Sequence, residues 1–509
     1  MQEQTLEQPP RRGTIYDRNG LVLAVDVKAA SIAVDGHNVR GAAALIRVLH
    51  EELRLAEAKL EQLVLRPSYF TWIARGVDLD IAQRIAERAE AAGAGGLIFV
   101  DTWRRYYPQG TLAANLLGFV GVDGDGLEGL ELFYDEQLRG TPGTMRVVEG
   151  RDGRPYAVEV VEPSCPGLDL YLTLDARVQL FCERAIDDGV ERHRAVSGFC
   201  VVMDPRSGGI LAIAQSPRYD PNLFSSSDPD VRRNLAVTTL FEPGSTFKAF
   251  SALAALTADV VSAADRFNGN DGVHVSGHVM HNAGNESFGS VSFAEIIEKS
   301  INTGMIQVAQ RVGSETLYHT LAGLGFGRAT GIDLPGELNG ILRPATEWVP
   351  LDLAAASIGQ SVAVTGIQLA CAMSALAADG SVPVPHLDTS VPANKSVRLA
   401  SPATLTTLRG LLRRVVESGT GTWAEIPGYE VAGKTGTAQK ALPGRGYVPG
   451  RYTSLFAGFL PASAPRLTCV VVLDEVRSGS PAGGYTSGQI FREAMTHAVS
   501  LLRIPPTTP

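Results

Sequence analysis

The sequence predicts a two-part α+β protein whose larger, C-terminal part is an antiparallel sheet flanked by helices. Three observations carry that expectation. The chain has 509 residues, more than a single hydrophobic core usually serves. A turn-rich break, Pro163-Ser164-Cys165-Pro166-Gly167, separates two stretches of different pattern. Beyond it, strand-like runs at 198–214 and 455–473 enclose a long helical middle, as in a sheet whose first and last strands meet in space. The expected domains are residues 1–165 and residues 166–509.

The elements follow in chain order. Met1 to Pro10 is polar and lacks the cationic end and apolar stretch of a signal peptide. Asn19-Gly20, between Thr14-Ile15-Tyr16 and Leu21-Val22-Leu23, predicts a type I′ hairpin, whose two central residues both need positive φ. Residues 41–64 and 78–92 carry Ala, Leu, Glu and Arg at helical spacing. Residues 126–138 predict a short helix before a Gly-Thr-Pro-Gly turn at 140–143. Residues 170–174 alternate like a strand, and Asp175 is placed to cap the helix after it. Runs 198–204 and 209–214 flank Pro205-Arg206-Ser207-Gly208 as a hairpin. Runs 455–460 and 467–473 are again strand-like, and 489–502 reads as a terminal helix.

Composition narrows the function classes. The formal net charge of -9 argues against a broad nucleic-acid footprint, which needs a clustered basic surface. Cys165, Cys182, Cys200, Cys371 and Cys469 are widely spaced without a CxxC pair, so buried free thiols are a simpler reading than one disulfide. No run reaches the roughly 18 apolar residues of a membrane helix. Asp123 and Asp125 fit a calcium loop poorly, because Tyr134 stands where a glutamate is required. His274, His278 and His281 in HVSGHVMHN could converge only on a helix, and Gly277 favours a loop of exposed or hydrogen-bonded histidines.

Three stretches carry chemistry. Glu242-Pro243-Gly244-Ser245-Thr246-Phe247-Lys248 precedes an apolar run, so a helix begins near Ser245 and puts Lys248 on the same face of its first turn. A serine hydroxyl is a poor nucleophile without an adjacent base. A lysine serves as that base if burial, a helix N-terminus and a second cation lower its pKa. Alone, SxxK is more simply a capping serine beside a solvent-facing lysine. Lys299-Ser300-Ile301-Asn302 adds a hydroxyl and an amide. Residues 431–438, Val-Ala-Gly-Lys-Thr-Gly-Thr-Ala, read as an edge strand with Thr435 and Thr437 on one side and Gly436 leaving space for another backbone. SxxK, SxN and KTGT in this order form a specific triple signature.

The roles follow from the groups. Ser245 attacks a carbonyl and forms an acyl-enzyme, while Lys248 takes its proton and returns one to the leaving amine through Ser300. Asn302 holds Lys248 and a substrate amide. Lys434 keeps Ser300 in a positive field and attracts a substrate carboxylate, to which Thr435 and Thr437 donate. The backbone N–H groups of Ser245 and Thr437 form the oxyanion hole. An amine as second nucleophile gives transpeptidation; water gives hydrolysis.

With these motifs the chain resembles the class B penicillin-binding proteins, monofunctional D,D-transpeptidases of bacterial cell-wall synthesis. The likeness extends to RRGTIYDRNGLVLA at 11–24, Gly118-Phe119-Val120-Gly121, GLEGLE at 126–131, Tyr219-Asp220-Pro221-Asn222 and Gly419-Thr420-Gly421. It implies a serine β-lactamase/transpeptidase-like domain on a non-catalytic pedestal, with no cofactor or metal. The donor would be a peptidoglycan or lipid II stem peptide ending in D-Ala-D-Ala, and β-lactams would acylate Ser245 as its mimics. The resemblance also implies a single N-terminal membrane anchor absent from this sequence, an extracytoplasmic catalytic domain, and a glycosyltransferase and division membrane proteins as partners. Gly359-Gln360-Ser361 and Ser300-Ile301-Asn302 stand where the family often has Gly-Gln-Gly and Ser-Ser-Asn. Glu242-Pro243-Gly244 favours the division branch, similar to penicillin-binding protein 3, over an elongation or sporulation role. A D,D-carboxypeptidase, a class D-like β-lactamase, and a β-lactam sensor or divisome scaffold are the competing readings. The long first domain counts against the lactamase and the sensor.

Overall fold

The computed structural model describes residues 4–149, 155–442 and 446–507; the reading of Met1 lies outside them. In the N-terminal part, β1 (Gln4–Gln8), β6 (Gly143–Glu149) and β7 (Pro155–Glu162) form a three-stranded antiparallel sheet in the order β1-β6-β7. Residues 4–8, expected as a polar tail, are therefore a strand, because β6 supplies their backbone partners. A second sheet is built around the long β3 (Val22–Val34), with β4 (Thr71–Asp78) along one side and β5 (Leu97–Tyr106) along the other. Helices α1 (Ala42–Leu53), α2 (Glu57–Val64) and α3 (Leu79–Ala91) bury Leu45, Leu49, Leu60 and Ile85 against Ile32 and Val34. That is the apolar face their 3.6-residue periodicity requires.

The first hairpin departs from the expected turn. Between β2 (Ile15–Tyr16) and β3 only Gly20 has positive φ, at 84°. Asp17 accepts from the N–H groups of Asn19 and Leu21, both at 2.8 Å. An aspartate turn thus replaces the type I′ geometry. The same carboxylate accepts from Ala176 N at 3.1 Å and so ties the hairpin to the second domain.

Residues 126–138 form two short helices, α4 (Gly129–Phe133) and α5 (Asp135–Arg139), broken at Tyr134, whose hydroxyl reaches Asp333 at 2.6 Å. Glu131, fully buried on α4, receives Arg12 and Arg105, each at 2.6 Å. The carboxylate of a GLEGLE motif therefore holds the arginine of the RRG motif, and removing it would strand two buried cations. Asp123 pairs with Arg75 and Asp125 with Arg139.

Leading into the C-terminal part, β8 (Leu170–Tyr171) is shorter than expected and runs parallel to β2 at the edge of the N-terminal sheet. Asp175 caps α6 (Ala176–His193), accepting from Arg177 N and Val178 N. The main sheet has the order β10-β9-β17-β16-β15, with β9 (Ser197–Met203), β10 (Ile210–Ser216), β15 (Ala432–Leu442), β16 (Gly446–Leu460) and β17 (Leu467–Asp474). First and last strands do meet: β9 pairs β17 antiparallel. The layer over the sheet that bears the site contains α7 (Lys248–Thr257), α8 (Phe293–Glu298), α9 (Asn302–Val312), α10 (Gly366–Ala377) and α11 (Pro402–Glu417). Between α7 and α8 lie the paired strands β11 (Arg266–Asn268) and β14 (Ser290–Ser292), and a small hairpin of β12 (Val273–Val275) and β13 (His278–Met280). The opposite face is covered by α6 and the terminal α12 (Ser487–Leu501), through Val178, Ile186, Phe491 and Met495.

All five thiols are free, four of them buried; Cys165 is exposed, contrary to the buried reading, because it sits in the exposed Pro163–Gly167 segment. Among the described residues no helix is long and apolar enough to cross a membrane.

Candidate active site

The nucleophile candidate lies where the helical layer meets edge strand β15. Residues Gly244–Phe247 make one 3-10 turn that runs directly into α7. Gly244 is left-handed at φ 51°, and an added Cβ would approach the Thr437 carbonyl oxygen to 3.2 Å. Glycine therefore lets the turn lie against the strand. On that strand, a Cβ at Gly436 would meet Pro243 O at 2.7 Å. The backbone for which Gly436 leaves space is thus the nucleophile turn itself.

Ser245 is half-buried, and among the described residues its side chain makes no hydrogen bond. One helical turn on, Lys248 is fully buried. Its Nζ donates to Asn302 Oδ1 at 2.6 Å, to Ser300 O at 2.5 Å and to Ser300 Oγ at 3.2 Å. Ser300 presents both oxygens because its backbone is left-handed, φ 61°, a conformation a serine holds only where surrounding contacts impose it. From the opposite side Lys434, also fully buried, donates to Ser300 Oγ at 2.9 Å. One hydroxyl thus lies between two lysines.

Burial and the nearby Lys434 push the Lys248 pKa well below its ordinary value. Burial alone brings Lys434 down to about 7. Two adjacent ammonium groups in a dry site cannot both persist. Burial and Lys434 both act against the charged form of Lys248, one turn from Ser245.

The structure therefore brings Ser245, Lys248, Ser300, Asn302, Lys434, Thr435, Gly436 and Thr437 to one place. Thr435 Oγ1 lies 2.7 Å from Thr420 Oγ1, and Thr437 Oγ1 accepts from Gly483 N at 3.1 Å. The Thr437 hydroxyl keeps its proton for an outside acceptor. Thr420 has no assigned place in the sequence reading of the site; its signal was the Gly419-Thr420-Gly421 motif. Glu242 is a second omission. It accepts from Ser361 N at 2.9 Å and from the Tyr447 hydroxyl at 3.0 Å, tying the loop at Ser361 and the start of β16 to the nucleophile turn. Burial raises both the Glu242 carboxyl and the Tyr447 phenol, the latter to about 12. Trp423 and Tyr485 pack edge to face at 5.5 Å. Among the described residues, no group of three or more His, Cys, Asp or Glu side chains could hold a metal ion. His274 and His278 lie on the β12–β13 hairpin and His281 directly follows it, all three exposed.

Comparison with known proteins covers most of the chain. Residues 198–496 match the family model for the penicillin-binding protein transpeptidase domain, and residues 7–172 that for the penicillin-binding protein dimerisation domain. The chain is 34% identical over 511 residues to the probable peptidoglycan D,D-transpeptidase PenA of Neisseria gonorrhoeae, covering 98% of this chain and 86% of that one. It is 32% identical over 513 residues to the stage V sporulation protein D of Bacillus subtilis, covering 98% and 79%. A crystal structure of penicillin-binding protein 3 from Mycobacterium tuberculosis, complexed with aztreonam, superposes with a TM-score of 0.76 at 27% identity, covering 99% of each chain.

Proposed function

This chain belongs to the penicillin-binding proteins, the family of peptidoglycan D,D-transpeptidases, and from that premise we propose that Ser245 is its acylated nucleophile and Lys248 the base. The observation that carries the reading is the pair of buried lysines meeting on the Ser300 hydroxyl, 3.2 and 2.9 Å away. In the proposed reaction Ser245 Oγ attacks the carbonyl between the two terminal D-alanines while Lys248 accepts its proton. The oxyanion rests on the N–H groups of Ser245 and Thr437. Ser300 relays a proton to the departing D-alanine amine; the acceptor amine of a second stem peptide then attacks the ester, and its proton passes through Lys248 to the departing Ser245 oxygen. Lys434, Thr435 and Thr437 hold the terminal carboxylate.

The working division of the chain is a non-catalytic domain at 1–165 and a catalytic domain at 166–509. The N-terminal domain would face a glycosyltransferase and division proteins beside the membrane, with catalysis on its extracytoplasmic side. The test of the chemistry is intact-mass analysis after exposure to penicillin: one adduct is expected, mapping to Ser245. An adduct on another residue overturns the assignment.

The cellular role we propose is septal synthesis, supported by Glu242-Pro243-Gly244 ahead of the nucleophile and by the likeness to penicillin-binding protein 3. The comparable identity to a sporulation protein favours a sporulation role as the second reading. A fluorescent fusion is expected at mid-cell in growing, dividing cells. A signal confined to sporulating cells would select the second reading.

A further inference from the structure

We propose that Asn282, with the backbone carbonyl of His281, is a positioning residue that fixes the orientation of Asn302 and thereby the geometry of Lys248. The inference rests on the roles of Ser245, Lys248 and Asn302 proposed above, and it gives the HVSGHVMHN stretch a function unrelated to metal binding.

An amide side chain can present either its oxygen or its NH2 to a neighbour. For Asn302 the choice is made from outside its helix. Its Nδ2 donates to the His281 carbonyl at 2.8 Å. A carbonyl has no proton to give, so the NH2 must face it and the oxygen must face Lys248, at 2.6 Å. The position of the His281 carbonyl is set in turn by the next residue. Asn282 is buried, and its Oδ1 accepts from Thr303 N at 3.0 Å and from Thr303 Oγ1 at 3.2 Å. Its Nδ2 donates to Gly269 O at 3.0 Å and to Glu286 O at 2.8 Å. The whole hydrogen-bonding capacity of the amide is used to join the chain around β12–β13 to the first turn of α9, where Thr303 N would otherwise lack a partner. Asp271 steadies the junction by accepting from Asn282 N at 2.7 Å and pairing with His281 Nδ1 at 2.8 Å.

Released from this grip, the Asn302 amide can rotate its NH2 towards Lys248. Two effects follow. The lone pair of Lys248 is no longer held in one direction, so acylation slows. The ammonium form loses an acceptor while Lys434, the charged group facing it among the described residues, stays in place. The Lys248 pKa then falls further, and the ascending limb of the pH–rate profile moves to lower pH.

The test is stopped-flow acylation of the whole chain by a chromogenic cephalosporin, resolving the maximal acylation rate k2 from the pre-acylation constant K across pH, alongside melting temperatures. For Asn282→Ala, k2 is expected to fall about 10–100-fold, the scale of a small misplacement of a reacting group. K is expected to stay within about threefold and the ascending limb to move to lower pH. Asp271→Ala, which keeps the Asn282 side chain, is expected to show the same pattern more weakly, and it carries the test if Asn282→Ala does not fold. His278→Ala, on the exposed side of the same hairpin, is expected to match wild type. A k2 within threefold of wild type with the limb unmoved overturns the inference, as does a loss confined to K or to melting temperature. A wild-type chain that folds but is not acylated at Ser245 overturns the proposed function itself, and this inference with it.

Discussion

Replacing Lys248 by arginine is expected to lower the second-order rate of β-lactam acylation by at least about 100-fold, the low end for loss of a positioned proton acceptor. Arginine keeps the charge and has no accessible neutral form. Lys248 is fully buried with acceptors at 2.5 and 2.6 Å, so the larger guanidinium also has no room. Size and basicity are separated by Lys248→Met, which is close to lysine in length and offers no base. Both variants are expected to fall together, by at least about 2.7 kcal/mol in transition-state stabilisation. Ser245→Ala sets the floor of the assay, with no adduct at any time. If Lys248→Met retains a rate within threefold of wild type, the base is another group. The structure supports the assignment through the environment of the amine: burial and Lys434 both act against its charged form.

The site was legible in the sequence because its chemistry depends on residue types at short fixed spacings. Ser245 and Lys248 lie three positions apart and Ser300 and Asn302 two; each pair shares a helical turn or a helix start. Thr435 and Thr437 share a strand face by period two. What stayed hidden depends on contacts between segments far apart in the chain. Thr420 reaches Thr435 only because α11 ends beside β15, and Glu242 meets Tyr447 only through the β15–β16 hairpin. The left-handed Ser300 could not be read from the sequence, since a serine adopts that conformation only under tertiary constraint. In the fold, amphipathic helices and apolar strands were read correctly, their periodicity being local. The sheet β1-β6-β7 was not. Gln4–Gln8 has too polar a pattern to announce a strand, and its pairing with β6 spans more than a hundred residues. The Asn19-Gly20 turn was misassigned because Asp17, two residues before Asn19, outcompetes the turn type by hydrogen-bonding the loop itself.

Lys434 is expected to act on the substrate carboxylate as a cation, and Lys434→Ala to slow acylation by carboxylate-bearing β-lactams by more than about 100-fold, the scale of losing a preorganised charge in a water-excluded cleft. Burial makes the interaction this large; the same ion pair on an exposed surface would contribute little. A nucleophilic role for Lys434 is disfavoured by its place behind Ser300 Oγ, at 2.9 Å, with Ser245 on the nearer helix start. The label, where detectable, should therefore remain on Ser245. Lys434→Arg is expected to recover part of the loss, since a cation remains with different geometry. The pH dependence gives the sharper prediction. Lys434 holds its proton below about 7 and loses it above. The attraction it exerts on a carboxylate is therefore present on the acid side and fades as pH rises through that value in the free enzyme. Lys248 has the opposite requirement, becoming a base only when neutral, so acylation by a carboxylate-bearing β-lactam should rise and then fall with pH. The decisive measurement is the ratio of acylation rates for one β-lactam with its carboxylate free and the same compound esterified. In wild type the ratio should be largest below pH about 7 and shrink above it; in Lys434→Ala it should be small and flat. If esterification slows wild type, Lys434→Ala and Lys434→Arg by one common factor at every pH, Lys434 is not the partner of the carboxylate. That role then passes to the hydroxyls of Thr435 and Thr437, whose hydrogen bonds do not titrate in this range.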